Sequence, residues 1–217
     1  MQYHELVDAR LGGTTALLYA CYLGRRDVAQ AIARYRRALD VFEAAALGDV
    51  PALASILEEN PAAADMLAPD GFHPLGLACF FGQAEAATLL VSRGADVALA
   101  SANSSHVTPL HSAVAAGDAK IAGLLLAKGA SVDTRQQGGF TALMAAARKG
   151  DAALVELLLD HGAEPGLLDE SGHRAADHAA QAGHAALAER LDLLSARAAA
   201  GGDAGQDDQP AGDLKAS

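Results

Sequence analysis

Eight histidines and two cysteines are the residues of this 217-residue chain best suited to chemistry, and their spacing decides what they could do. Metal sites on helices need two ligands on one face, as in HxxxH or HExxH, or paired thiolates as in CxxC. None of these pairs occurs, and His173 and His178 straddle a helix start rather than sharing a face. Nor is there a GxSxG nucleophile turn or a glycine-rich phosphate loop opening a helix after a strand. Gly12-Gly13 and Gly138-Gly139 fall between candidate helices, and Glu58-Glu59 and Asp207-Asp208 read as solvated faces. The expectation is therefore no catalytic residue, no metal, no cofactor and no enzyme. A metal-dependent activity carried by His73, His106, His173 and His178 is the one chemical alternative.

The elements that must position any functional residue are helical and alanine-rich. Half of the chain is apolar (51%), with no Trp, five Phe and four Tyr. A core of small side chains suits closely packed helices, and the length suffices for a sizeable core. The net charge of −11 argues against nucleic acid or an anionic membrane as partner, since both demand a basic surface. Residues 1–40 carry six Arg against four acids, while the remainder carries ten basic residues against 23 acidic ones. Met1 to Arg10 lacks a signal pattern, and no apolar run approaches the roughly 18 residues of a membrane span. A cytoplasmic monomer is expected. Twelve Arg against four Lys fits a GC-rich coding genome.

A repeat organises the chain. With Thr15, Leu39, His73, Thr108, Thr141 and Arg174 as reference positions, the separations are 24, 34, 35, 33 and 33 residues. Five residues after each stands an alanine: Ala20, Ala44, Ala78, Ala113, Ala146 and Ala179. Nine after each stands a glycine: Gly24, Gly48, Gly82, Gly117, Gly150 and Gly183. Seventeen after each stands an aliphatic: Ile32, Ile56, Leu90, Leu125, Leu158 and Leu191. Thr108 suits an N-cap and Pro109 the first helical turn, while Gly117 suits a left-handed C-cap. Ile121, Leu124 and Leu125 follow at the spacing of a second apolar stripe, which Gly129 stops. Gly94 and Gly162 end second helices in the same way, and Asn60, before Pro61, is expected to do so in a left-handed conformation. Each unit is thus helix, tight turn, helix, projecting loop. The invariant alanine lets two helices approach, and units that cannot bury their stripes alone must stack.

Thr108-Pro109-Leu110-His111, followed by Ala113, Gly117, Leu124-Leu125 and Gly129-Ala130, resembles the ankyrin repeat. Phe140-Thr141-Ala142-Leu143 and the run Leu157-Leu158-Leu159-Asp160-His161-Gly162-Ala163 are similar to it. The resemblance implies an all-α solenoid of about six helix-turn-helix units with short β-hairpin fingers, spanning residues 1–194, that holds protein partners. His111, His161 and His184 stand where the family commonly places histidines that bond neighbouring units. The 24-residue first spacing leaves no room for a finger between the first two units, so the binding edge is expected to be interrupted there. Arg25, Arg26, Arg34, Arg36 and Arg37 at one end, and Glu189, Arg190 and Asp192 at the other, are expected to form polar caps. Cys21 and Cys79 are expected to be reduced core thiols. Residues 195–217 dissolve into Ala, Gly, Asp and Gln and are expected to form a disordered tail.

Partners in this family usually lie on the concave side, formed by finger tips and first helices. The matching offsets give a partner-binding set of Tyr22, Leu23, Phe72, Phe80, Phe81, Ala115, Ala116, Phe140, Arg148, Lys149 and Gln181, with Ala46, Leu47 and Val107 at the same offsets. Four of the five phenylalanines fall here, beside a basic end at Arg148 and Lys149. Phe72 and Phe140 could equally pack the finger base, and Ser101 to His106 form the longest finger. The expected function is a protein-binding adaptor or inhibitor. A secreted effector and a passive spacer are the alternatives.

Overall fold

The structure, a computed structural model, describes residues 9–201. Among these, twelve helices pair into six units. They are α1 (Ala16–Tyr22) with α2 (Arg26–Tyr35), α3 (Val41–Leu47) with α4 (Val50–Glu59), and α5 (Pro74–Phe80) with α6 (Ala84–Ser92). There follow α7 (Pro109–Ala116) with α8 (Ala119–Ala127), α9 (Ala142–Lys149) with α10 (Ala152–Asp160), and α11 (Ala175–Gln181) with α12 (Ala185–Gly201). First helices stack on first helices and second on second, so the chain is an all-α solenoid.

Local chemistry sets each boundary. Thr15, Thr108 and Thr141 accept from the backbone N–H groups of Leu18, His111 and Met144 and start the first helices. The six repeat glycines all have positive φ, from 66° to 87°, and turn the chain after them. Asp49, Asp118 and Asp151, each directly after its glycine, cap the second helices through Ala52, Ile121 and Leu154. Gly-Asp is therefore a two-residue hinge in these units: one residue ends a helix and the next begins another.

Between the helix layers runs the spine that the periodicity requires. Ala44, Ala78, Ala113, Ala146 and Ala179 are fully buried and Ala20 nearly so. Leu90, Leu125, Leu158 and Leu191 are buried around them. Cys79 is buried and Cys21 half-buried, and both are free thiols. Burial pushes the Cys21 thiol up to about 11, so it stays protonated at neutral pH.

The second unit departs from the expected frame. Its N-cap is Asp40, one residue after Leu39, because the Asp40 side chain accepts from Glu43 N while the Glu43 side chain accepts from Asp40 N. Its buried stripe shifts in step, to Leu53 and Leu57, leaving Ile56 half-buried. Asn60 is extended at φ −140° rather than left-handed, since a 3-10 turn, Pro61–Asp65, follows directly and needs no reversal. Ala46 is buried and Leu47 half-buried, so the second unit adds little to an open groove face.

Among the described residues only the first finger pairs as strands, β1 (Arg10–Leu11) with β2 (Thr14–Thr15), Arg10 facing Thr15. Gly12 and Gly13 both have positive φ at its turn. Three later fingers are tight turns closed by two backbone bonds each: Ala68 N to Phe72 O with Gly71 N to Ala68 O, Gln136 N to Phe140 O with Gly139 N to Gln136 O, and Asp169 N to His173 O with Gly172 N to Asp169 O, all 2.9–3.0 Å. Each is bonded to the next, through Ala102 N to Gly71 O, Gln137 N to Ser105 O and Glu170 N to Gly138 O. The longest finger is stapled by its own side chains. Ser101 Oγ accepts from Val107 N, and Asn103 Nδ2 donates to Asp70 O.

As expected, only the short loop 36–40 joins the first two units. The edge is nonetheless continuous, because the first finger packs directly on the third unit's. A Cβ at Gly13 would sit 2.7 Å from Cβ of Pro69, so only glycine fits that approach.

At the N-terminal end Arg25, Arg26, Arg34 and Arg37 are exposed, as a polar cap requires, while Arg36 turns inward to pair with Glu43. Arg26 also reaches Leu47 O and Gln83 from the surface. Beside them Leu11, Tyr19, Leu23, Val28 and Ile32 line an open apolar groove of about 490 Å³. The other end follows expectation: Arg190 pairs with Glu156, and Asp192 with Arg174 at 2.9 Å. Helix α12 runs to Gly201, past the expected boundary at 194. Residues 202–217, the rest of the expected tail, lie outside the described residues.

Two predictions follow from the packing. Leu158→Ala leaves a void in a fully buried stripe and should cost ~2–5 kcal/mol in chemical denaturation; a loss under 1 kcal/mol would contradict the placement. Glu43, whose buried carboxylate joins Arg36, Asp40 N and the Thr15 hydroxyl, ties the first unit to the second. Glu43→Ala removes a buried carboxylate from Arg36, Asp40 N and the Thr15 hydroxyl together and should cost about 3 kcal/mol, read as a lower urea midpoint.

Candidate functional site

Stacking the third, fourth and fifth units brings the C-terminal halves of α5, α7 and α9 beside the fingers that precede them. Between them lies a pocket of about 260 Å³. Its walls are Phe72 and Phe80 on one side, Val107, Ser112 and Ala115 in the middle, and Gln136, Phe140, Ala145, Arg148 and Lys149 on the other. Six of the residues expected from spacing thus converge on one cavity: Phe72, Phe80, Ala115, Phe140, Arg148 and Lys149.

The rings divide by role. Phe72 and Phe140 are half-buried, packing on the core and lining the pocket at once. Phe80 is 43% exposed, while its neighbour Phe81 turns inward against the core. Phe80 and Phe81 meet edge to face at 5.1 Å, and Tyr22 lies 5.4 Å from Phe81 and 6.2 Å from Phe80. The Tyr22 hydroxyl donates to the Asp70 carboxylate at 2.8 Å, and burial with that bond holds the phenol protonated. Asp70 also accepts from Phe72 N, so this finger carboxylate is occupied within the chain.

The two cations also divide. Lys149 Nζ donates to Val114 O and Ala115 O at 3.3 and 2.9 Å, neutralising the carbonyl end of α7. Arg148 lies over the Phe140 ring, 5.0 Å from its centroid, and among the described residues no carboxylate pairs with it. Ser112, 1% exposed, lines the pocket with its hydroxyl lacking a partner among the described residues.

Leu23, Ala116 and Gln181 are exposed but stand outside the pocket, Leu23 belonging to the apolar end groove. Val107 joins the wall, as its offset allowed. Ser112 and Gln136 escaped sequence reasoning because neither offset recurs as a marked residue type. A serine on the inward face of α7 is indistinguishable from packing until its bonds are counted.

The histidines bond groups within the chain, His111 across two units and His161, against expectation, within its own helix. His111 Nε2 donates to Phe140 O at 3.2 Å, so Nδ1 accepts from the Thr108 hydroxyl at 2.8 Å, and one imidazole bridges two units. Burial holds its pKa below the ordinary histidine value. His178 Nε2 bonds Asp169 at 2.8 Å and meets Phe140 edge-on. His73 donates to Asp65 O, and His161 to Leu157 O. Among the described residues, no three His, Cys, Asp or Glu side chains gather as a metal would need.

Paired helices, glycine turns and linked fingers beside a groove define a repeat solenoid. Family models described as "Ankyrin repeats (3 copies)" and "Ankyrin repeats (many copies)" match residues 41–136 and 124–179. The chain is also 36% identical over 95 residues to ankyrin repeat and SAM domain-containing protein 6 of Danio rerio. That match covers 39% of this chain and 13% of the relative. The chain belongs to the ankyrin repeat family, whose members are generally protein–protein interaction modules and typically not enzymes. No described helix is long and apolar enough to cross a membrane.

The His111 bridge makes stability depend on pH. Its folded pKa is depressed, so its contribution is complete above the unfolded value of 6.5 and declines as pH falls below it. Urea midpoints at pH 7.5 and 5 should show a loss on acidification that shrinks in His111→Gln; an equal loss in both would assign the effect elsewhere.

Proposed function

We propose that this protein is a cytoplasmic, monomeric adaptor or inhibitor that holds one protein partner in its groove. The observation that supports this most directly is the pocket between Phe72, Phe80 and Phe140. A half-exposed aromatic ring beside an unpaired guanidinium is the pattern that dominates interface energetics. Phe80 is the central anchor, with Phe72, Phe140 and Ala115 as the pocket walls and Arg148 as the polar rim. Tyr22 and Phe81 hold Phe80 in place from behind. Lys149 acts mainly by bracing α7, and Leu23, Ala116 and Gln181 form the periphery.

A passive spacer is disfavoured, since it has no use for an open aromatic pocket. A secreted effector would use the same groove.

Phe80→Glu tests the assignment, because the ring is exposed enough to replace without opening the core. Affinity capture by the variant should lose the partners retained by the native chain, with helicity by circular dichroism unchanged. Retention of the same partners would remove the groove from consideration.

A further inference from the structure

We infer that the Phe72/Phe140 pocket receives a tryptophan side chain from an acidic linear segment of the partner, whose neighbouring carboxylate meets Arg148. The inference rests on the groove reading above and adds the chemistry of what fills it.

Three observations carry it. The first is size. A cavity of roughly 150 Å³ lined by apolar side chains takes a benzene ring, so about 260 Å³ has room for a fused second ring. The lining supports a flat aromatic guest, with Phe72 and Phe80 facing Phe140 across small Ala115 and Ala145.

The second is the unpaired Ser112 hydroxyl. A buried hydroxyl without a partner costs free energy that a guest can recover by bonding it. An indole offers one N–H on an otherwise apolar ring; phenyl and aliphatic side chains offer nothing to it. Ser112 therefore favours tryptophan over phenylalanine or leucine in a pocket that any of them could enter.

The third is charge. In a chain of net charge −11, Arg148 stands at the pocket rim without a carboxylate partner. Lys149 beside it keeps donor capacity beyond its two carbonyl bonds. The nearest finger carboxylates do not compete. Asp70 is bonded to Tyr22 and Phe72 N, and Asp169 to His178 and to His173 N. The local field thus selects an acidic neighbour for the inserted ring, and rim charge of this kind sets specificity more than affinity.

A random dodecapeptide phage library panned on the whole protein, on Phe80→Glu and on Arg148→Glu tests this directly. Native protein should enrich sequences with tryptophan within two residues of Asp or Glu. Phe80→Glu should reduce recovery at least about tenfold. Arg148→Glu should exchange the selected acidic neighbour for Lys or Arg. With a synthetic peptide from the enriched pool, replacing tryptophan by phenylalanine should weaken binding about fivefold on native protein and less than twofold on Ser112→Ala.

Enriched peptides that depend on Phe80 but carry an aliphatic anchor, or no acid, would overturn this inference and leave the groove reading standing. Peptides indifferent to Phe80→Glu would overturn the groove reading itself. An unenriched library would overturn the linear-peptide inference alone. Self-association in sedimentation that Phe80→Glu abolishes would assign the pocket to a second copy and overturn the inference.

Discussion

Close approach of helix layers across a column of alanines is the constraint on which the whole molecule depends. At Ala44, Ala78, Ala113, Ala146 and Ala179 the side chain is a single methyl with no exposed surface. A larger residue at any of them would push neighbouring layers apart, and interiors packed to crystal density absorb little of that. With the layers held close, leucines of adjacent second helices close over one another and each unit buries the stripe of the next. The fingers, carried at fixed height by the first helices, are thereby brought within one hydrogen bond of each other.

That bonded row of fingers is what makes a groove out of separate units. Phe72 and Phe140 sit at finger bases, Phe80 and Arg148 at helix ends, and only the stacking distance brings them around one cavity. The same economy appears in the polar groups. Lys149 and Gln83 reach back, and His111 forward, to a carbonyl of a neighbouring unit, so residues that line the groove also hold the stack together. A groove built this way is pre-organised, so little of it would need ordering if a partner bound there.

Some of the site was legible because the repeat projects matching offsets to one face. Phe72, Phe80, Ala115, Phe140, Arg148 and Lys149 were found by counting from Thr108 and its equivalents. The counting failed where local chemistry shifted the frame. Asp40 and Glu43 form a reciprocal cap one residue beyond Leu39, and the second unit's buried stripe moves to Leu53 and Leu57 with it. It also missed Arg36, which was counted with the exposed arginines of the N-terminal cap but turns inward to Glu43.

By itself the sequence determined the period, the glycine turns, the alanine spine and the family, because each depends on residue type at fixed intervals along one chain. It also set Phe72, Phe80 and Phe140 at offsets that the fold brings to one pocket. Tertiary structure alone decided that Phe80 faces outward while Phe81 packs inward, and that Ser112 is left without a partner at the pocket wall. It alone decided too that the first finger closes onto the third unit across Gly13 and Pro69, bringing Tyr22 to Phe81. Those outcomes depend on distances between units that are far apart in the chain, and no interval along the sequence encodes a distance across the stack.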